Sequence, residues 1–346
     1  MVEWLAGNRI TGTSTERTTT TGFNPVDAVA GGWKELGRTT LGSDTALDLS
    51  SIADKRYYMV LTNCLDSAPS GDYRQRFNAD SGLNYSDRGA QNGTVFTEIN
   101  KNVMFMGGLS PTNLLSVQYI SNLSSKEKLS MNWAVDEATA GAGTAPDRFE
   151  NVHKWTNTAS VINRIQSSGN YNTGSELVVL GWDPADEHTT NFWEELASVE
   201  LGSAGDNLSS GTITAKKYLW VQAYCIASGA IDMKLTWNNV STSTYAQRRS
   251  INGGADATAT SQANVYTAPD NTNYFLNMFF VNDGSNEPLG MIHAVHQNTA
   301  GAATAPQRSE TVCKNSNTTQ ITEIDIDNSA AGSFDTGSII KVYGSD

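Results

Sequence analysis

Apolar and polar residues alternate with a period of two along much of this chain, and helical periodicity is scarce. In Asp232–Trp237 (DMKLTW) the apolar members fall on one face of an extended segment and the polar members on the other. Leu129–Val135 (LSMNWAV) repeats the pattern, as do Leu115, Val117 and Tyr119. Tyr274–Val281 is a nearly continuous aromatic and aliphatic run, as expected of a strand covered on both faces. Asn92-Gly93, Ser81-Gly82, Asn252-Gly253 and Asp283-Gly284 punctuate these runs, and Asn and Gly tolerate the positive φ that tight turns need. The spacing predicts about seven or eight short strands in each of two units, a sandwich or jelly-roll pattern. The fold class expected is all-β, built as tandem antiparallel β-sandwiches.

The two units are copies of each other. Residues 139–158 (TAGAGTAPDRFENVHKWTNT) return as residues 299–318 (TAGAATAPQRSETVCKNSNT), with 13 identities in 20 at an offset of 160. Trp33-Lys34-Glu35-Leu36 answers Trp193-Glu194-Glu195-Leu196. Lys55-Arg56-Tyr57 answers Lys216-Lys217-Tyr218, and Gly181-Trp182-Asp183 answers Gly344-Ser345-Asp346. The expected organisation is an N-terminal arm (1–32), a first sandwich (33–183), a polar linker (184–192) and a second sandwich (193–346) that repeats the first. The arm is rich in Thr and Ser. Ordering about 20 such residues costs on the order of 20–40 kcal/mol of backbone entropy. We therefore expect neighbouring subunits to hold the arm, with Trp4, Leu5 and Ile10 as anchors.

Composition narrows the classes. Charged residues make up 17% of the 346 positions, and the 31 asparagines outnumber the 23 lysines and arginines. With a net charge of −13 and no basic run, the chain lacks the footprint that neutralises phosphates, so no nucleic-acid partner is expected. No apolar run is long enough for a membrane helix, and no secretory signal is evident. Three cysteines, Cys64, Cys225 and Cys313, are read as apolar fillers rather than a disulfide framework.

Candidate chemistry is sparse. His293 and His296 sit three apart on an expected strand, so they point to opposite faces and cannot share a metal. His293 occupies the place of Trp133, read as an inward position, and His153 aligns with Cys313. Asp325 and Asp327 share a strand face but have no acidic counterparts in the first unit, which favours a solvated face. Asp80-Ser81-Gly82-Leu83-Asn84 has the oxygen spacing of a calcium loop, yet its duplicate has no carboxylate. Arg148-x-Glu150 and Arg308-x-Glu310, with Lys154, Lys314, Arg88 and Arg248, are expected to form ion pairs at the sandwich ends. Catalytic residues, cofactor and metal are all expected to be none.

Several duplicated features carry a resemblance. Lys55-Arg56-Tyr57 and Lys216-Lys217-Tyr218 open a strand, and Arg76-Phe77-Asn78, Asn84-Tyr85 and Arg88 follow. Next come Lys154–Thr158 and Gly174-Ser175 to Gly181, answered by Gly337-Ser338 to Gly344. In these features the unit resembles a jelly-roll-like domain of virion structural proteins from tailed phages and related marine and archaeal viruses. The second unit departs from the pattern at Thr236-Trp237 and Asn315-Ser316. The resemblance implies a non-enzymatic capsid, decoration, turret or tail component, located in the extracellular particle. Its expected partners are copies of itself and other virion proteins, with no membrane contact. A double-jelly-roll major capsid protein is one variant of this reading. A receptor- or glycan-binding module of a fibre or spike is the alternative, with Tyr85 and Tyr245 stacking on host surface sugars.

Overall fold

The structure is a computed structural model and describes residues 32–65, 72–108, 113–183, 191–270, 273–298 and 302–346. Every regular element in it is a β-strand. In the first unit an eight-stranded antiparallel sheet runs in the order β1 (Lys34–Thr40), β12 (Glu176–Trp182), β3 (Tyr57–Cys64), β8 (Leu114–Ser121), β9 (Lys128–Asp136), β10 (Asp147–Trp155), β5 (Tyr85–Gln91), β6 (Thr94–Lys101). A four-stranded sheet, β2 (Asp48–Ser50), β11 (Arg164–Ser167), β4 (Tyr73–Phe77) and β7 (Met104–Gly107), covers one face.

The second unit repeats this order. Its eight-stranded sheet is β13 (Glu194–Glu200), β26 (Ile339–Ser345), β15 (Tyr218–Cys225), β21 (Tyr274–Val281), β22 (Leu289–His296), β23 (Gln307–Asn315), β18 (Tyr245–Ile251), β19 (Ala257–Gln262). Its four-stranded sheet is β14 (Asn207–Ser209), β24 (Ile324–Asn328), β17 (Ile231–Trp237) and β20 (Val265–Asp270). A small added pair joins β16 (Ala227–Ser228) to β25 (Ser333–Phe334). The register is duplicated residue for residue: Leu61 pairs with Val117 as Gln222 pairs with Asn277. Among the described residues strands are more numerous than the turn spacing predicted, 12 in the first unit and 14 in the second. Part of the surplus lies in segments of two to four residues such as β2, β7 and β16, too short to show alternation.

Each sandwich has its own apolar core. In the first, Leu47, Tyr58, Phe77, Trp155 and Ile165 meet between the sheets. In the second, Leu208, Met233, Trp237, Phe280 and Ile326 do the same. A third apolar cluster lies between the units, where Leu61, Leu115, Val117, Val135 and Val178 pack on Phe279, Leu289, Met291 and Val312. The eight-stranded sheets therefore stack back to back, and each carries apolar side chains on both faces.

This arrangement corrects one expectation from the sequence. Leu129, Met131, Trp133 and Val135 point away from their own sandwich, while Ser130 and Asn132 point into it. Trp133 and His293 are thus not inward. These equivalent residues meet each other across the seam, with ring centroids 4.9 Å apart. His296, on the opposite face, packs on Tyr274 inside the second core.

Candidate functional site

The outer face of each eight-stranded sheet divides into two halves, and the seam uses different halves from the two units. The first unit contributes Leu61, Leu115, Val117, Val135 and Val178, all buried. Their duplicates, Gln222, Phe275, Asn277, Val295 and Lys341, are more polar and lie open or half-open. The second unit contributes Phe279, Val281, Leu289, Met291 and Val312, also buried. Their duplicates on the first unit are Tyr119, Ser121, Leu129, Met131 and Val152, and no described residue covers them to the same extent. Leu129 is 58% exposed, Met131 49% and Val152 50%, against 0%, 3% and 4% for Leu289, Met291 and Val312.

The uncovered half forms a groove of about 900 Å³ crossing β3, β8, β9, β10, β5 and β6. Leu129, Met131, Val152 and Ile99 make an aliphatic floor, and Trp33, Tyr57, Tyr119 and Trp182 provide aromatic walls. Trp33 meets Tyr119 edge-on at 6.3 Å, and Tyr57 lies 5.7 Å from Trp182. Arg88, Lys154 and Glu98 supply charge around the floor. An exposed apolar surface of this extent marks a contact site rather than ordinary surface. The alternation is legible in the sequence, and the site is not. The legible signal was that Leu129, Met131 and Val152 recur as Leu289, Met291 and Val312, the same apolar stripe on both units.

Beneath the groove the first sandwich is polar where the second is apolar. Ser116, Gln118, Ser130, Asn132 and His153 occupy the places of Leu276, Met278, Gly290, Ile292 and Cys313. The free edge of β7 accounts for them. The Phe105 N–H donates to Asp87 Oδ2 at 2.8 Å. The Phe105 carbonyl accepts from His153 Nε2 at 2.9 Å and Asn151 Nδ2 at 3.1 Å, and the Met106 carbonyl accepts from Asn132 Nδ2 at 2.7 Å. With Nε2 donating, His153 Nδ1 accepts from the Ser130 hydroxyl at 3.0 Å, which itself accepts from Gln118 Nε2 at 3.0 Å. Burial pushes His153 down to about 4, so its neutral form dominates near neutrality. Burial likewise raises Asp87 to about 7, against the Phe105 N–H. Ser130 and His153 are within bonding distance but only 6% and 4% exposed, and both ring nitrogens are engaged. The pair is a structural brace for the β7 edge.

The remaining sequence candidates fall as follows. Tyr85 and Tyr245, expected to stack on sugars, are 0% exposed and cannot do so. The Tyr85 hydroxyl accepts from the Phe77 N–H at 3.0 Å and donates toward the Asp80 carbonyl at 3.3 Å. Tyr245 does the same with Trp237 and Val240. Each tyrosine thus ties a turn to the sheet, as a tyrosine corner does. Asp80 caps its own turn, accepting from the Gly82 N–H at 2.9 Å, Asn84 Nδ2 at 2.9 Å and Trp155 Nε1 at 2.7 Å. Asp325 is buried at 2% exposure rather than solvated, and burial raises it.

Of the arginines expected to pair at the sandwich ends, Arg308 pairs with Glu310 within its own unit at 3.3 Å, whereas Arg148 and Arg248 span the seam. Arg148 pairs with Asp256 at 2.6 Å as well as with Glu150, Arg248 pairs with Asp147 at 3.4 Å, and Lys314 donates to the Glu137 carbonyl at 2.7 Å. Cys64, Cys225 and Cys313 are free and buried. Among the described residues, no cluster of three or more His, Cys, Asp or Glu has the arrangement to hold a metal ion. Trp4, Leu5, Ile10 and His188 lie outside the described residues.

No protein-family profile matches the chain, and no curated protein does. Among solved structures it is similar to domains LG4-5 of the mouse laminin alpha1 chain, at 11% identity over 91% of each chain with a TM-score of 0.19. It is also similar to the LG1-3 region of the laminin alpha2 chain, at 9% identity over 88% of this chain and 64% of that one, with a TM-score of 0.21. Superpositions this loose leave the site to be argued from its own residues.

Proposed function

We propose that this chain is a non-enzymatic virion structural protein, a capsid, decoration, turret or tail component, that assembles with copies of itself through the faces of its eight-stranded sheets. The observation that carries the assembly reading is the distribution of uncovered apolar side chains. The patch of Tyr224, Phe275 and Val295 on the second unit (41%, 42% and 43% exposed) flanks the half already used in the seam. It continues a surface that is buried where the two units meet. The virion setting rests on the duplicated motifs described above. The aliphatic floor of the groove offers few of the hydrogen-bond partners that hold a sugar, so assembly is favoured over glycan binding.

The patch on the second unit provides the test. Light scattering on the full chain is expected to show a mass above one chain, rising with concentration. Phe275→Asp with Val295→Asp is expected to return it to one chain without loss of β-sheet circular dichroism. A wild-type chain that stays monomeric at every concentration overturns the assembly reading, and absence of the protein from antibody-labelled particles in negative stain overturns the virion setting.

A further inference from the structure

We infer that the groove on the first unit is the docking site of the chain's own N-terminal arm, and specifically of residues 23–29 (FNPVDAV). The inference does not depend on the virion reading.

Three observations converge on this segment. The described chain begins at residue 32, and Trp33 is itself a wall of the groove, packed on Tyr119. The 31 residues before it therefore start at the groove's rim, and a short tether confers an effective concentration in the millimolar range, by order of magnitude about 1 mM. Gly32 has φ +59°, a left-handed conformation that lets the preceding chain turn back over the sheet.

Second, the duplication contains a precedent. The residue before Trp193 is Phe192, and both are buried, at 8% and 1% exposure, in the cluster that covers the equivalent half of the second unit. Chain entering the second sandwich thus already runs across this surface. Gly32 stands where Phe192 does, so the first unit must bring its apolar side chains from further upstream.

Third, length and composition fit. The groove crosses six adjacent strands, a span of about 24 Å at roughly 4.8 Å per strand. From Trp33 back to Phe23 an extended chain reaches about 33 Å. Phe23, Val26 and Val29 are the large apolar residues nearest the rim, and the residue before Pro25 is biased to the extended conformation that lies flat on a sheet. Trp4, Leu5 and Ile10 fall beyond the span and stay available to other contacts. A second copy is a weaker occupant. The second unit's matching half replaces Leu61, Val117 and Val178 with Gln222, Asn277 and Lys341.

Methionine oxidation in the full chain reads the groove directly. Without cover Met131 is 49% exposed, whereas Met291, its duplicate, is 3% exposed and serves as an internal control. With the arm docked, Met131 is expected to react with peroxide about tenfold more slowly in the wild type than in Phe23→Ser, Val26→Ser, Val29→Ser, with Met291 unchanged. In the reverse direction, Leu129→Glu with Val152→Glu changes two exposed positions and leaves the core alone. It is expected to speed tryptic cleavage after Arg17 by about tenfold. Protection of Met131 should persist on dilution over about two orders of magnitude, because a tethered segment does not dissociate by mass action. Equal oxidation of Met131 in wild type and triple variant overturns the proposal. Protection that fades on dilution also overturns it and assigns the groove to a second copy.

Discussion

Asp87 and His153 are cross-strand neighbours on β5 and β10, both turned into the first sandwich and both bonded to Phe105. Burial displaces them in opposite senses, Asp87 up to about 7 and His153 down to about 4. For Asp87 the folded state holds a proton that the unfolded carboxyl, near 3.9, releases, so its contribution is complete below about pH 4 and is lost as pH rises to about 7. For His153 the unfolded imidazole, near 6.5, takes a proton that the folded one refuses, so its contribution is complete above about pH 6.5 and is lost as pH falls to about 4. The two slopes oppose each other in one window. The duplicate position supports a neutral group here, since Gln247 accepts from the Tyr266 N–H at 2.6 Å as Asp87 does from Phe105. Asp87→Asn retains an acceptor and removes one slope. Denaturant midpoints from pH 5 to 8 are expected to be nearly level in the wild type but to fall on acidification in the variant, by up to about 1.4 kcal/mol per pH unit. The variant is expected to exceed the wild type at pH 8. Parallel profiles for the two proteins would refute this account.

At the level of elements, the duplicated motifs at the start and end of each unit have one structural cause. The pairing of β1 with β12 slips between Glu35 and Gly37, leaving Leu36 as a bulge, and β13 slips on β26 at the equivalent Leu196. Each bulged leucine lies over a glycine of the partner strand. A Cβ on Gly181 would sit 2.5 Å from Leu36 Cδ1 and 2.7 Å from Lys55 Cγ, and one on Gly344 would sit 2.6 Å from Leu196 Cδ1 and 2.9 Å from Lys216 Cγ. Leu36, Lys55 and Gly181 thus recur together because they touch. The repeat exposed all three positions, but sequence separation hid the contact among them. Gly181→Ala is expected to destabilise by about 1–3 kcal/mol, as overpacking of a filled site does. The cost should shrink in a Leu36→Ala background, since contacting sites are not additive. Gly42→Ala, with nothing within 4 Å of its added Cβ, should be neutral. Chemical denaturation of the wild type and the four variants checks the set, and equal costs for Gly181→Ala in both backgrounds would contradict the contact.

At the scale of the whole molecule, duplication was legible as identity, whereas the asymmetry that followed it was not. Alternation along β9 tells which residues share a face but not which face meets the sandwich. Leu129–Val135 therefore reads as a strand from the pattern alone, whereas Trp133 faces the seam and not the sandwich. The deciding facts are non-local: β7 draws Asn132 and His153 inside, with Ser130 bonded to His153, and the second unit covers only one half of the outer face. Divergence between the copies then fixes which halves meet. Leu61 and Val117 pack in the seam, while Gln222 and Asn277, at the same register, face outward in the second unit. The fold of a unit therefore accepts Gln and Asn at these positions, and the seam does not, because two amides would enter a cluster that offers them no partners. Each buried unsatisfied amide costs about 1–3 kcal/mol. Leu61→Gln with Val117→Asn should leave both sandwiches folded but uncouple them. Calorimetry is expected to show one cooperative transition for the wild type, because the shared cluster makes either unit's unfolding expose the other. The double variant is expected to show two transitions, the first shifted to lower temperature. A single transition in the variant would mean that the ion pairs Arg148–Asp256 and Arg248–Asp147 couple the units without the apolar seam.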